Sequence, residues 1–369
     1  MPISLNVNGK SYSDWTSIEV ERSLDNFPAQ FSFSSTFDNS NVRKFPIKEG
    51  DLCEVSLNGD IIITGYVEII TGRYNSTSHT VNISGRSVLC DLVDSTIDND
   101  INISLPATIE EVVGQILQLS GFNTPPLLPI KIKVMSESEI DEFTEEERVV
   151  AEVGDSVISV IDKYCRKRQL FITDDRDGSL VLFRGFSGKL QAGIQSNGSN
   201  LDNVKSASVR RDSTKRFNKY KVHSQQNFST IDPFSNAEPS ESVGGVDGVS
   251  FDSGIRSQRR LNIMSETSSN AEDCENRASW QANMNRARSF SYSSVVQGHK
   301  TGFDELYDIN FLMDVIDKPH DVNSELLINS VKYKQGLEGT TTELGFTYRD
   351  AYTVEPDLPE DQKSPSFQL

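Results

Sequence analysis

The segment Val55-Ser-Leu-Asn-Gly-Asp-Ile-Ile-Ile-Thr-Gly-Tyr-Val67 decides the fold class. Val55 and Leu57 alternate with polar residues, Asn58-Gly59 follows, and Ile61, Ile63 and Val67 resume the alternation. Asn-Gly between two alternating runs is a strong hairpin signal, because a type I′ turn needs positive φ at both central residues. Upstream, Thr16–Val20 and Phe31–Phe37 carry apolar side chains two apart, and downstream Val81 and Ile83 do the same within Thr80–Arg86. Short strands at this spacing predict a sandwich or barrel over the first ~95 residues.

The pattern changes near residue 105. Thr108 precedes Ile109, Val112, Val113, Ile116 and Leu119, a stripe at helical spacing. Glu111, three residues after Thr108, completes a capping box, and Gly121 is a suitable stop. A second amphipathic helix fits Ser156–Arg168 through Val157, Val160, Ile161 and Tyr164, and a hairpin turning at Asp174–Gly178 follows. Together these predict a compact α+β unit. The acid-rich stretch 136–148 between the helices reads as a solvated helix or loop.

Residues 187–203, rich in Gly, Ser and Asn, read as a linker, and strands resume at Asn203–His223. Residues 224–254 show little periodicity and read as a long functional or disordered loop. A strand at Arg256–Met264 and a helix from Ser269 that contains Cys274, Ala278, Trp280 and Ala282 come next, then several short strands between Val295 and Leu344. The proline-containing stretch 350–369 reads as an extended arm.

Composition narrows the function. Of 369 residues, 36 are Lys or Arg and 54 are Asp or Glu, a net charge of −18. So acidic a chain repels phosphate backbones and anionic lipid, which argues against sequence-independent DNA grip. No stretch approaches the ~20 apolar residues of a membrane helix, so no membrane anchor is expected. The first residues carry no basic and apolar leader, and synthesis in a reducing cytoplasm is expected. Cys53, Cys90, Cys165 and Cys274 lie far apart with no CxxC, as buried free thiols do.

Catalytic motifs are missing. Thr173–Gly178 resembles part of a calcium loop, yet its twelfth position is Arg184, a cation where the ion needs a carboxylate, so a plain hairpin turn is the better reading. His79, His223, His299 and His320 form no zinc spacing and read as surface or turn residues. Cys165, beside Arg166, Lys167 and Arg168, could carry a lowered thiol pKa, but it borders the apolar stripe of a helix and reads as a buried thiol. With no GxSxG, Walker A or dinucleotide fingerprint, no enzyme, cofactor or metal is expected. One patch breaks the acidic pattern: Lys205, Arg210, Arg211, Lys215, Arg216, Lys219 and Lys221, with Asp212 alone against them. It reads as a solvated strand face, as a docking surface for an acidic partner, a second copy of this chain included, or, third, as a DNA-binding patch. Arg256, Arg259 and Arg260 extend it if their strand is a neighbour.

The ordered set of residues resembles a known family. It runs from Gly9-Lys10, Trp15 and Ile18-Glu19-Val20-Glu21-Arg22-Ser23, through Phe45-Pro46-Ile47 and Gly50-Asp51, to Gly59-Asp60 and Ile63-Thr64-Gly65-Tyr66-Val67. Ser84-Gly85-Arg86, Asp91-Leu92-Val93-Asp94, Tyr220-Lys221-Val222, Arg259-Arg260-Leu261, the Trp280 helix and Leu327-Ile328 with Val331 continue it. In these, over most of residues 1–350, the chain resembles the baseplate hub proteins of Mu-like contractile-tailed phages (the tail protein P family). More remotely it is similar to the T-even hub and the N-terminal region of type VI secretion spikes.

The resemblance implies a mainly β fold with an α+β insert: two tube-type antiparallel β-barrel domains, a small α+β domain and a long-loop and helix insertion. The expected division is 1–97 for the first barrel, 98–188 for the α+β domain and 189–350 for the second barrel, with the insertion at 224–289 and a tail at 351–369. It further implies a homotrimer in the virion that adapts a sixfold tail tube to a threefold central spike and contacts other baseplate proteins. DNA would pass through its channel without specific binding. The −18 charge raises the expectation of an acidic lumen. The competing readings are a tail-borne cell-wall glycan hydrolase, which needs two opposed carboxylates, and a carbohydrate-binding tail module, which needs exposed aromatic platforms. Trp15 and Trp280, placed in a strand and a helix, read as core instead.

Overall fold

Asn58 and Gly59 adopt φ of +52° and +94°, so the Asn-Gly hairpin forms where the sequence places it. A computed structural model describes residues 3–38, 46–75, 78–123, 129–136, 139–145, 147–200, 202–224, 246–265, 271–337 and 339–353. The first sheet region holds β1 (Ile3–Val7), β2 (Lys10–Tyr12), β3 (Ser17–Ser23), β4 (Gln30–Asp38), β5 (Leu52–Leu57), β6 (Asp60–Tyr74) and β7 (Ser78–Ser87). An α+β module follows with α1 (Cys90–Asp94), β8 (Ile101–Asn102), α2 (Ile109–Leu119), β9 (Ile132–Ser136), β10 (Val150–Ala151), α3 (Val157–Lys167), β11 (Phe171–Asp174) and β12 (Leu180–Arg184). Next come β13 (Gly188–Lys189), β14 (Ile194–Ser196) and β15 (Val204–Arg211). A smaller module contains β16 (Lys219–His223), β17 (Asp247–Phe251), β18 (Arg260–Met264) and α4 (Ala271–Ala287). The chain closes with β19 (Phe290–Gln297), β20 (Phe311–Asp317), β21 (Val322–Gly336), β22 (Gly339–Tyr348) and a 3-10 turn at Arg349–Tyr352.

The fold is mainly antiparallel β. Two six-strand units have one topology: β3-β4-β7-β6-β5-β1 and β15-β19-β22-β21-β20-β14, both built in the same chain order. The correspondence reaches individual residues. β6 and β21 each run 15 residues, and each is followed by a 10-residue strand. Against the strand that follows it, each long strand breaks register once, at Glu68 between Val67 and Ile69 and at Asn329 between Ile328 and Ser330. Such a bulge bends a strand so that its two halves serve different walls of a barrel. A glycine sits opposite each bulge, Gly85 and Gly345. A Cβ on Gly85 would lie 1.9 Å from the Tyr66 carbonyl oxygen. The units differ in one closing strand: β1 lies antiparallel to β5, whereas β14 lies parallel to β20.

In the second unit, the Asn203 N–H donates to the Gln195 carbonyl at 3.1 Å and brings β15 back to β14. The first unit's β1 instead reaches the second unit, where the Ile3 N–H donates to Gln335 Oε1 on β21 at 3.1 Å. The two units are one sheet, because β3 pairs with the outer half of β21 from Ser17↔Gly336 to Ser23↔Ser330. A continuous core that includes Phe31, Phe33, Tyr292, Tyr333 and Phe346 fills both.

The α+β module has its own core around α2 and α3. Its helix starts as predicted: the Glu111 N–H donates to Thr108 Oγ1 at 3.2 Å and the Thr108 N–H to Glu111 Oε2 at 2.8 Å. In the smaller module α4 lies on β16 and β17, with Cys274, Ala278 and Ala282 against Tyr220 and Val222. A Cβ on Gly248 would fall 2.1 Å from the Cys274 backbone, so only glycine permits this approach.

Several sequence expectations need correction. The linker 187–203 contains β13 and β14, and Leu190 and Ile194 bury themselves in the second unit's core. The loop 224–254 contains β17; residues 225–245 lie outside the described residues. The strand expected from Arg256 begins at Arg260, and Ser269, the expected helix start, lies outside the described residues. The acidic stretch is no helix where described; Phe143 is fully buried, with the Arg168 guanidinium 4.0 Å from its ring centroid. Ala351 and Tyr352 are buried, so the described chain stays packed through the 3-10 turn, whereas 354–369 lie outside the described residues. Trp15 stands between β2 and β3 rather than in a strand and packs on Phe33 at 5.1 Å.

Candidate assembly interface

Two kinds of site emerge: a buried ionic clamp that joins the parts of the chain, and unpaired sheet edges that can join copies of it. The clamp forms where the β11–β12 turn meets the seam between the two units. Arg22 on β3 pairs with Asp308 in the loop before β20, and its second nitrogen donates to the Asp174 carbonyl at 2.8 Å. Arg176 reaches the other Asp308 oxygen at 2.6 Å. Asp174 in turn accepts the Ala29 N–H at 2.9 Å. Burial opposes the Arg22 charge, but Asp308 and Asp174 outweigh it and raise its pKa. One guanidinium therefore fastens the first unit, the second unit and the α+β module.

This geometry also decides the calcium question. Asp175 and Asp177 both pair with Lys133, at 2.5 and 3.0 Å, while Arg176 turns inward to Asp308. The segment is a hairpin turn with Gly178 at φ +80°. Among the described residues no cluster of acidic, His or Cys side chains is suited to a metal.

The four cysteines are buried and unpaired. Burial pushes the Cys165 thiol well above its ordinary value, so its basic neighbours do not activate it. The histidine reading fails at one position. His299 is fully buried, 2.9 Å from Thr342 Oγ1 through Nδ1, and burial pushes its pKa down to about 4. An unfolded histidine titrates near ~6.5. As pH falls, the unfolded chain takes up this proton first, so the stability contribution is complete above ~6.5 and drains away toward 4. Replacing His299 with Gln should flatten the fall in unfolding free energy between those values, read from urea titrations at a series of pH.

The basic patch is contiguous in sequence but divided in space. Lys205, Arg210 and Arg211 lie on β15, Lys215 is in the following turn, and Arg216, Lys219 and Lys221 belong to or precede β16 in another sheet. Arg210 pairs with Asp212 at 2.5 Å, Arg216 with Asp252 at 2.8 Å, and Lys221 with Asp247. Lys219 stands 5.8 Å from the Phe251 ring centroid. Arg260 does neighbour the patch, pairing with Lys219 across β16 and β18. Sequence contiguity showed Asp212 but missed Asp247 and Asp252, and together the three neutralise three of these cations.

The edges form a second repeated feature. Among the described residues, β15 is paired along its length only by β19, and the outer half of β6, residues 69–74, only by β7. In the first unit, the strand equivalent to β15 is β3, and it already occupies the edge of β21 that corresponds to the outer half of β6. An unpaired strand edge presents a row of backbone donors and acceptors to another chain. The non-core face of these strands is rich in Ser and Thr, with Ser32, Ser34, Ser84, Ser208, Ser293 and Thr341. Its charges are matched: Lys332 with Glu19 and Glu21 at 3.2 and 2.9 Å, Lys334 with Glu343 at 2.8 Å, and Arg86 with Glu68 at 2.6 Å. The acidic surplus of the sequence is thus not concentrated on this face.

Comparison with known proteins places this architecture. Residues 2–87 match the model described as Mu phage baseplate assembly protein GpP-like, N-terminal, and residues 270–355 match that of the Mu phage baseplate assembly protein GpP, fourth domain. The chain is 20% identical over 356 residues to the baseplate hub protein gp44 of Escherichia phage Mu, covering 95% of this chain and 89% of that one. The 43 kDa tail protein of prophage MuSo2 from Shewanella oneidensis is 26% identical, with a TM-score of 0.79 over 95% of this chain and all of its own. A tail protein from Neisseria meningitidis MC58 shares the fold with a TM-score of 0.76 at 18% identity, covering 95% of this chain and 99% of that one. Two ordered domain matches, a hub protein aligned almost end to end and a tail protein of the same shape converge: the chain is similar to the baseplate hub and tail proteins of Mu-like phages.

Proposed function

We propose that this chain is a structural baseplate hub, three copies of which close a ring that adapts a sixfold tail tube to a threefold spike and surrounds a central channel. The observation that carries the reading is the repeat of one six-strand topology within a single chain. Two equivalent units per copy let threefold symmetry present six equivalent positions. In this reading residues 1–97 and 189–350 supply the tube-type units, and 98–188 and the 224–289 insertion are appendages. Residues 351–369 then form an arm beyond the packed turn. Partners are the tube, the spike and neighbouring baseplate proteins, in a virion assembled in the host cytoplasm.

Ring closure follows from the repeat. Each copy offers β15-β19-β22-β21-β3-β4-β7-β6, eight adjacent strands, so three copies make a wall of 24. The seam between copies would reproduce the seam inside the chain, with β15 of one copy added to the outer half of β6 of the next. Aligning the two bulges carries the pairs Glu21↔Lys332 and Glu19↔Lys334 onto Arg210↔Thr71 and Ser208↔Arg73. The wall facing the channel would be hydroxyls and matched ion pairs. Such a surface offers DNA phosphate no unpaired cation row and so favours passage without binding. The basic residues of β15 then lie at the contact with the next copy.

The two tryptophans offer no platform for the carbohydrate-binding reading: Trp280 is buried beneath Arg277 and Trp15 is packed on Phe33. The test is chemical. A chain carrying both Ser208→Cys and Arg73→Cys should oxidise to a species of three copies of 41.1 kDa, about 123 kDa, on a non-reducing gel. Moving the first cysteine to Val209, on the opposite sheet face, should abolish it. Light scattering that finds only single copies, with the tube protein present and absent, would refute the ring.

A further inference from the structure

The two ends of the paired sheets are unlike each other. At one end lie Ser23, Gln30, Ser87, Arg211, Phe290 and Tyr348, as the pairings across the sheet require. Both modules leave from this end. The α+β module follows β7, and the β16–β18 and α4 module lies between β15 and β19. The modules meet there, with Trp280 of α4 5.1 Å from Phe171 of β11. The equivalent connection in the first unit, β3 to β4, is only residues 24–29, and β22 is followed by a 3-10 turn and no module among the described residues. Everything distinctive at this end therefore occurs once per chain.

The opposite end repeats twice per chain. Here β6 is followed by β7 and β21 by β22, the corresponding hairpins of the two units. Each of these hairpins carries a bare apolar side chain, Tyr74 at 85% exposure on one and Leu337 at 99% on the other. These are the two most exposed large apolar side chains among the described residues. The two side chains differ in register, Tyr74 being the last residue of β6 and Leu337 the first after β21, yet each unit offers one exposed apolar group on the same one of its hairpins.

We infer that the hairpin end, through Tyr74 and Leu337, docks on a partner ring with sixfold repeat, and that the module end faces the threefold partner. The inference rests on the ring reading and adds its direction. A sixfold ring needs six equivalent contacts, and only the hairpin end repeats twice in each of three copies. A threefold partner needs one contact per copy, which the modules supply.

The experiment uses the full chain and purified rings of the tail-tube protein from the same phage. A Tyr74→Asp and Leu337→Asp double variant should keep the wild-type melting temperature and three-copy mass, and bind tube rings about tenfold or more weakly in co-sedimentation. Phe251→Asp with Met264→Asp, exposed positions on the β16–β18 module, should leave tube binding unchanged. Wild-type tube binding by the hairpin variant, or loss confined to the module variant, would overturn the direction while the ring stands. If wild-type complexes contain the chain in any ratio other than three copies per ring, the ring reading itself fails, and the mass shows it independently of either variant.

Discussion

Replacing Arg22 with Met is expected to lower the unfolding free energy by about 3–5 kcal/mol, because it leaves Asp308 buried with half of its partners gone. The guanidinium is 3% exposed and holds Asp308 and the Asp174 carbonyl at once. Lysine should not rescue it: one ammonium cannot present two fixed donors to acceptors on separate elements. Chemical denaturation monitored by Trp280 and Trp15 fluorescence measures the loss. A second variant separates the terms. Asp308→Asn should be costly alone, yet less than additive with Arg22→Met, since the combined change removes the orphaned charge along with its partner. Full additivity would show that the two residues do not act as a unit.

Gly85→Ala is expected to be comparably severe, about 3 kcal/mol or more, from backbone crowding rather than charge. The added methyl would meet the Tyr66 carbonyl oxygen at 1.9 Å and the Phe31 ring at 2.6 Å. Tyr66 precedes the Glu68 bulge on β6, so β6 and β7 must part or the bulge must move. Gly345→Ala, beside the second bulge, should cost less, because its first obstacle is the Ser330 hydroxyl at 2.2 Å, and a side chain can rotate where a carbonyl cannot. Melting temperatures of the two variants side by side give the comparison. Equal losses would mean that crowding at the bulge is not what glycine relieves.

How much of this was legible depended on range along the chain. Asn58-Gly59, the Thr108 and Glu111 box and the stripe of α3 are local signals, and each appears as expected. The β1–β2 hairpin turns on Asn8-Gly9, with φ of +51° and +75°, and was not read from the sequence. β13, β14 and β17 were missed because two to five residues rich in Gly and Ser have little periodicity of their own. They are strands only because β20 and β16 offer an edge. The buried state of His299 was likewise invisible, since it depends on Thr342 and Tyr333, remote in sequence. The candidate interface divides the same way. The basic residues could be counted, but their neutralisation by Asp247 and Asp252 required the pairing of β16 with β17 and the turn after it. The likeness of the two units is a property of strand order, which no window of sequence displays.

The pairing of β3 with β21 has one more consequence. In the proposed ring six units make six joints, and in each polypeptide one joint is already tied by the backbone. Three chains then need only two encounters that sacrifice the translational and rotational freedom of a free molecule, the last joint closing within the complex, where six separate pieces would need five. Half of the closure is inherited from translation, so the annulus can assemble at concentrations too dilute for six separate pieces.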